Sequence, residues 1–129
     1  MQSEHILDAS AVVALLYDEP GAKKVLDLLE GGAISAVNVS EVLARMVRDG
    51  EEIAEARKAI EVLRLDVVPF NEEYAYEAGG LIAITKDYGL SLGDRACLAT
   101  ARKLKLPVFT SDRQWAKVKR LGVAIHLIR

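Results

Sequence analysis

Four acidic side chains occupy positions at which α/β sheets commonly bind ligands. Asp8 and Asp112 follow short β-rich runs, whereas Glu41 and Asp94 stand near the start of helical patterns. In an open parallel sheet, ligands bind at the carboxyl ends of the strands. We therefore expect all four carboxylates near one edge of the sheet.

Carboxylates gathered without a nearby His, Lys or Cys in sequence repel one another and raise one another's pKa values. A hard divalent cation relieves that repulsion, because Mg²⁺ and Mn²⁺ take oxygen ligands and are held by a few carboxylates plus substrate phosphate. Such a cation activates water or clamps the oxygens of a phosphodiester. The pattern predicts metal-assisted phosphodiester hydrolysis.

Each acid also has an ordinary structural interpretation. Asp8 could cap the helix after it, and the spacings Ser91-x-x-Asp94 and Asn38-x-x-Glu41 resemble capping boxes. Asp94, however, heads an apolar helical stripe and should point toward the sheet, where a carboxylate needs a partner. Glu41 falls on the polar face of its helix.

The elements that must position these acids alternate along the chain. Short β-rich runs alternate with stretches whose apolar residues recur at helical spacing, such as Val39, Val42 and Met46. The runs are 5–7, 33–35, 65–68, 108–110 and 123–127. Residues 74–86 are helical in composition, although Gly79-Gly80 should weaken that helix. The alternation predicts an α/β fold with a parallel sheet and helices on both faces.

Composition narrows the function classes further. The 129 residues, 51% of them hydrophobic, predict one domain over 1–129. Seventeen basic and 19 acidic residues give a net charge of −2, which excludes nucleic-acid binding by bulk charge alone. The single cysteine, Cys97, fits a reducing compartment. No apolar run is long enough to cross a bilayer, so we expect a cytoplasmic protein.

Four motifs, taken in order and spacing, resemble the PIN-domain nucleases and, among them, the VapC-type toxins of toxin–antitoxin pairs. The motifs are Leu7-Asp8-Ala9-Ser10-Ala11, Asn38-Val39-Ser40-Glu41-Val42, Leu90-Ser91-Leu92-Gly93-Asp94-Arg95-Ala96-Cys97-Leu98-Ala99 and Thr110-Ser111-Asp112. The resemblance covers essentially the whole chain. It implies a five-stranded parallel sheet in the order 3-2-1-4-5 and a Mg²⁺ or Mn²⁺ site that cuts RNA.

The resemblance also assigns roles to residues. Asp8 and Asp94 would ligate the metal directly, Glu41 would complete the site, and Asp112 would act through water or at a second metal. The polar residues that would support the site are Ser10, Thr110 and Ser111. The same family implies a homodimer and a cognate antitoxin that blocks the site.

Basic residues near the acids in sequence are candidates for contacts with RNA phosphates. They are Arg45, Arg48, Lys86, Arg95 and Arg113. Trp115 could stack on a base, although packing is the more ordinary role. His5, His126 and Cys97 fit structural positions.

Other functions of α/β domains fit less well. A receiver domain would need an Asp closing the third strand and a Lys closing the fifth, and neither is present. A haloacid-dehalogenase-like phosphatase would need an Asp where Ser10 stands. The glycine-rich motifs that bind nucleotides are missing from the sequence. The alternative that stays open is a non-catalytic PIN-like scaffold or interaction protein that keeps the acids for structure.

Overall fold

The computed structural model describes residues 2–129, so residue 1 of the predicted domain lies outside the described residues. Five short strands form one sheet: β1 (His5–Leu7), β2 (Gly32–Ser35), β3 (Asp66–Val68), β4 (Val108–Thr110) and β5 (Ile125–Leu127). All neighbours are parallel, and their order is β3-β2-β1-β4-β5. This order confirms the predicted architecture.

Seven α-helices connect the strands: α1 (Ala9–Leu16), α2 (Ala22–Asp27), α3 (Ala36–Arg48), α4 (Ile53–Glu61), α5 (Glu72–Gly80), α6 (Ile82–Thr85) and α7 (Leu92–Leu104). Two 3₁₀ turns, Lys86–Tyr88 and Arg113–Lys117, complete the described elements. The helix predicted over 74–86 is divided into α5 and α6 directly after the glycine pair. Glycine is a poor helix former, which accounts for the break.

The central strands bury both of their faces, and their alternating side chains separate two apolar clusters. Ile6 and Ala33 pack with α5 and α7, whereas Leu7 and Ile34 pack with α1 and α3. This alternation follows from the two-residue period of a strand. It confirms that helices cover both faces of the sheet. No helix within residues 2–129 is long and apolar enough to span a membrane.

The chain leaves β1 toward β2 on one side, and β4 lies on the other side of β1. The boundary between β1 and β4 is therefore the topological switch point, where connections diverge and leave a crevice. Asp8 follows β1 directly, and Asp112 lies two residues beyond β4. The topology thus brings two of the four acids to this crevice.

Candidate active site

Asp8 is the most completely enclosed of the four acids. It is the N-cap of α1, and its carboxylate accepts hydrogen bonds from the Ala11 backbone N–H (2.9 Å), Ser10 Oγ (2.8 Å) and Thr110 Oγ1 (2.6 Å). Only 5% of Asp8 is exposed. Burial raises its pKa to about 6, against the lowering effect of these hydrogen bonds, and the charge of Asp94 adds to the rise.

The supporting hydroxyls also tie β4 to the start of α1. Thr110 Oγ1 accepts from the Asp112 backbone N–H (3.0 Å), and Ser10 Oγ accepts from the Ser111 N–H (3.0 Å). The Asp112 side chain accepts from the N–H of Gln114 (2.9 Å) and so caps the following 3₁₀ turn. The structure therefore brings Ser10, Thr110 and Ser111 together around Asp8.

Asp94 enters the site as part of a true capping box at the start of α7. Its carboxylate accepts from the Ser91 N–H (2.9 Å), while its own N–H donates to Ser91 Oγ (3.2 Å). Burial raises the pKa of Asp94, and the charge of Asp112 raises it further. The Asp94 carboxylate therefore both caps α7 and faces other acids.

Glu41 stands in the interior of α3, where sequence reasoning expected a helix start. The N-cap of α3 is Ser35, whose hydroxyl accepts from the Val37 N–H (3.2 Å), so the predicted Asn38–Glu41 capping box is wrong. The two side chains still meet, because residues three apart are neighbours on a helix. Asn38 Nδ2 donates to Glu41 Oε1 (2.7 Å).

The Glu41 carboxylate also lies against the backbone of α7 at Gly93. A Cβ atom at Gly93 would collide with the carboxylate, so only glycine permits this approach. Asn38 Nδ2 donates as well to the Gly93 carbonyl (3.1 Å). Two residues therefore fix the distance between α3 and α7 at the acidic edge.

Cys97 is fully buried on α7 and senses the charges of three of the four acids. Burial raises the pKa of its thiol well above the usual value, and the charges of Asp8, Asp94 and Glu41 add to that effect. The charge of Asp112 acts in turn on Asp94. The burial of Cys97 confirms its predicted role as a core residue.

The donor chemistry of this cluster fits a hard cation, since its ligating atoms are oxygens and two of the carboxyl pKa values are raised. The side chains of residues 2–129 include no group of three or more His, Cys, Asp or Glu placed so that it could hold a metal as it stands. Asp8 and Asp94 are directed by their capping bonds. Metal binding would therefore require side chains of this cluster to change their orientation.

A cleft of about 550 Å³ opens beside the acids. Its polar lining consists of Ser10, Glu19, Glu41, Arg45, Arg48, Ser111 and Arg129. Arg45 is held by Asp49 (Nε to Oδ2, 2.9 Å) and lies over the Tyr17 ring, with 4.8 Å from Cζ to the ring centroid. Arg45 therefore forms its ion pair with Asp49, and Glu41 is hydrogen-bonded to Asn38 instead.

Two of the other predicted RNA contacts are directed elsewhere. Arg95 Nη1 donates to the Ala78 carbonyl in α5 (3.1 Å), and Arg113 Nη2 donates to the Arg129 carbonyl (3.3 Å). Neither lines the cleft. Trp115 is 1% exposed and packs in the core, which confirms packing as its role.

Residues 5–121 match the family model described as PIN domain. The chain belongs to the PIN domain family. The PIN domain found here is similar in fold to DNA-bound VapBC from Salmonella typhimurium, with a TM-score of 0.77 and 16% identity over 99% of this chain and 100% of that chain.

Two further solved structures share this PIN fold. VapBC2 from Rickettsia felis, bound to a promoter DNA fragment, has a TM-score of 0.73 and 15% identity over 95% of this chain and 97% of that chain. FitAcB from Neisseria gonorrhoeae has a TM-score of 0.70 and 24% identity over 93% of this chain and 94% of that chain. A search of curated proteins by sequence gives no match.

Sequence reasoning missed three residues of this PIN site. Asn38 and Gly93 occur in the sequence patterns around Glu41 and Asp94 without a predicted site role, and Arg129 lies outside all four motifs. The contact of Asn38 with Gly93 joins residues 55 apart, and Arg129 reaches the cleft from beyond β5. The signals that the sequence offers are the glycine directly before Asp94 and the three-residue spacing of Asn38 and Glu41.

Proposed function

We propose that this PIN domain is a Mg²⁺- or Mn²⁺-dependent endoribonuclease and the toxin of a type II toxin–antitoxin pair. The observation that carries the proposal is the proximity of these acids: the charge of Asp94 acts on buried Asp8, and the charge of Asp112 acts on Asp94. The Glu41 carboxylate lies against Gly93, the residue before Asp94. A structural role for one acid is ordinary, but neighbouring carboxylates whose charges raise the pKa values of Asp8 and Asp94 are costly without a cation.

In this proposal Asp8 and Asp94 would hold the metal directly, Glu41 would complete the site, and Asp112 would act through water or at a second metal. The bound metal would supply an activated water and neutralise charge on the phosphodiester. Ser10 and Thr110 orient Asp8 by donating to its oxygens. Ser91 orients Asp94 in the same way through the capping box.

The cleft beside the acids suits the backbone of an RNA strand. Arg45 and Arg129 are held in place by Asp49 and Glu19, and Arg48 is exposed at the same cleft. Arginine donors position phosphates but do not read bases. Because the net charge is −2, RNA affinity would depend on these local arginines and weaken with salt.

The solved structures of similar fold support the proposed pairing, since their descriptions name VapBC and toxin–antitoxin complexes. A cognate antitoxin would block the cleft and silence the nuclease until it is removed. We further propose that the chain forms a homodimer and acts in the cytoplasm.

The proposal is tested with a mixed pool of transfer, ribosomal and messenger RNA fragments. Wild type and Asp94→Asn are incubated with Mg²⁺, with Mn²⁺ and with EDTA, and thermal unfolding is measured on the same samples. We expect cleavage by wild type only, abolished by EDTA, with both proteins equally well folded. Cut sites mapped by sequencing would then identify the preferred RNA.

Absence of cleavage by well-folded wild type in both metals would contradict the nuclease and support the scaffold alternative. A titration with Mn²⁺ on the same samples separates the cases further. A scaffold that keeps the acids for structure alone would bind Mn²⁺ no more tightly than Asp94→Asn does.

A further inference from the structure

Asn38 is a fully enclosed polar side chain that the proposed mechanism has not used. It lies in α3 with 1% of its surface exposed and belongs to neither apolar cluster. Buried amide groups are nearly always fully hydrogen-bonded, so an exception points to a specific demand on the residue. Its hydrogen bonds identify that demand.

The amide nitrogen of Asn38 has two hydrogens, and each has its own acceptor. One is Glu41 Oε1 at 2.7 Å, and the other is the Gly93 carbonyl at 3.1 Å. The amide orientation is fixed by this pair, because the reversed orientation would place the carbonyl oxygen against two acceptors. Asn38 thus links an exposed carboxylate on α3 to the backbone of α7.

The amide oxygen of Asn38 has no hydrogen-bond partner among residues 2–129 and is buried. Leaving a buried acceptor unpaired is destabilising. An apolar residue of the same size at position 38 would avoid that cost. The Gly93 carbonyl would lose the hydrogen bond from Asn38 but would keep the helical hydrogen bond from the Cys97 N–H. Packing alone therefore does not account for an asparagine here.

We propose that Asn38 is a positioning residue that holds the Glu41 carboxylate toward the acidic crevice, at a cost in stability. This inference rests on the proposed nuclease function. Glu41 is exposed, so without the amide its flexible side chain would sample solvent-facing rotamers. Gly93 provides the space into which Asn38 directs the carboxylate.

The test compares Asn38→Leu with Thr85→Val. Thr85 is also fully buried, and its hydroxyl donates to the carbonyl of Leu81, the N-cap of α6, so the control removes a buried hydrogen bond outside the site. We expect Asn38→Leu to reduce kcat by about 10- to 100-fold, as outer-shell substitutions do. Its Tm in EDTA should equal or exceed that of wild type, whereas Thr85→Val should lower Tm and leave cleavage unchanged.

A double-mutant cycle with Glu41→Gln shows whether Asn38 acts through Glu41. If it does, adding Asn38→Leu to Glu41→Gln causes no further loss of kcat, while independent effects would multiply. A multiplied loss, or wild-type cleavage by Asn38→Leu, overturns the inference and leaves the nuclease intact. If Asn38→Leu folds poorly, Asn38→Ser replaces it, since its side chain is too short to reach Glu41.

Failure of the nuclease proposal gives a different result. If wild type cuts no RNA, Mn²⁺ affinity measured by calorimetry on wild type, Asn38→Leu and Thr85→Val takes the place of kcat. A weaker affinity for Asn38→Leu alone supports the positioning role. Equal affinities for all three proteins overturn it.

Discussion

Asp8 and Glu41 reach the same crevice by opposite means. Asp8 is buried, and three donors from α1 and β4 surround its carboxylate. Glu41 is exposed and takes its direction from one amide on its own helix and one glycine on α7. The first arrangement is imposed by strand topology, and the second depends on a contact between two helices. Their costs differ accordingly.

The cost at Asp8 is electrostatic. A pKa of about 6 in the folded state, against 3.8 for an unperturbed aspartate, corresponds to about 3 kcal/mol once the carboxyl is ionised. The cost at Glu41 lies in the unpaired oxygen of Asn38. Both features lower the stability of the fold, and neither improves the packing of the core. They are therefore consistent with a functional role for the site.

The largest effect is expected from Asp8→Asn. The change keeps the shape of the side chain and the acceptor for the Ala11 N–H, but it removes the buried charge and a proposed metal ligand. We expect RNA cleavage to fall by at least about 100-fold. In EDTA near neutral pH, the free energy of unfolding measured with urea should rise by about 1–3 kcal/mol.

The pH dependence of stability provides the control for Asp8. Because folding raises this pKa, the folded state binds the proton more tightly than the unfolded state does. The stabilisation is complete below about pH 4 and is lost as the pH rises through about 6. Asp8→Asn should remove this loss. A wild-type free energy of unfolding that increased over the same range in EDTA would contradict the assignment.

An intermediate effect is expected at the Glu41 end from Gly93→Ala. The new Cβ would displace the Glu41 carboxylate, so we expect kcat to fall by about tenfold. Alanine is the better helix former by about 0.5–1 kcal/mol, which offsets part of the strain. Cleavage assays and urea unfolding measure the two effects.

Gly79→Ala is the matched control, because no atom lies within 4 Å of a Cβ built at Gly79 in α5. It should gain about 0.5–1 kcal/mol of stability and cleave at the wild-type rate. Equal cleavage by both alanine variants would mean that the close approach at Gly93 does not position Glu41.

The same contrast explains how much the sequence could predict. Asp8 and Asp112 were predictable because strand ends in a parallel sheet share an edge, and alternation in runs such as 5–7 indicated the strands. The capping box of Ser91 with Asp94 was also predictable, since it is local. These features need only the period of an element and the order of the chain.

The start of α3 and the role of Asn38 could not be predicted in this way. A spacing of three residues brings Asn38 to Glu41 equally at a helix start and within a helix, so the pattern does not distinguish the two. The decisive contacts, from Asn38 and Glu41 to Gly93, cross between elements. Such contacts depend on how α3 and α7 pack, which local periodicity does not specify.

The smallest effect is expected where Glu41 faces the cleft, from Arg48→Gln. Arg48 and Glu41 line the same cleft, whereas Asp8 is buried and does not line it, so we expect the substrate phosphates to interact with the Glu41 side. Binding of a labelled RNA to the Asp94→Asn protein is followed by fluorescence anisotropy over a range of salt. Losing one phosphate contact should weaken binding about threefold and reduce the salt slope by about 0.7.

Arg120→Gln removes the same charge from the opposite edge of the sheet. Arg120 lines a separate cavity with Pro107 and Ala124, which precede β4 and β5. A uniform electrostatic effect of net charge would make the two variants equal, because both change it by one unit. A slope reduced only by Arg48→Gln would instead place the RNA strand along the cleft that Arg48 and Glu41 line.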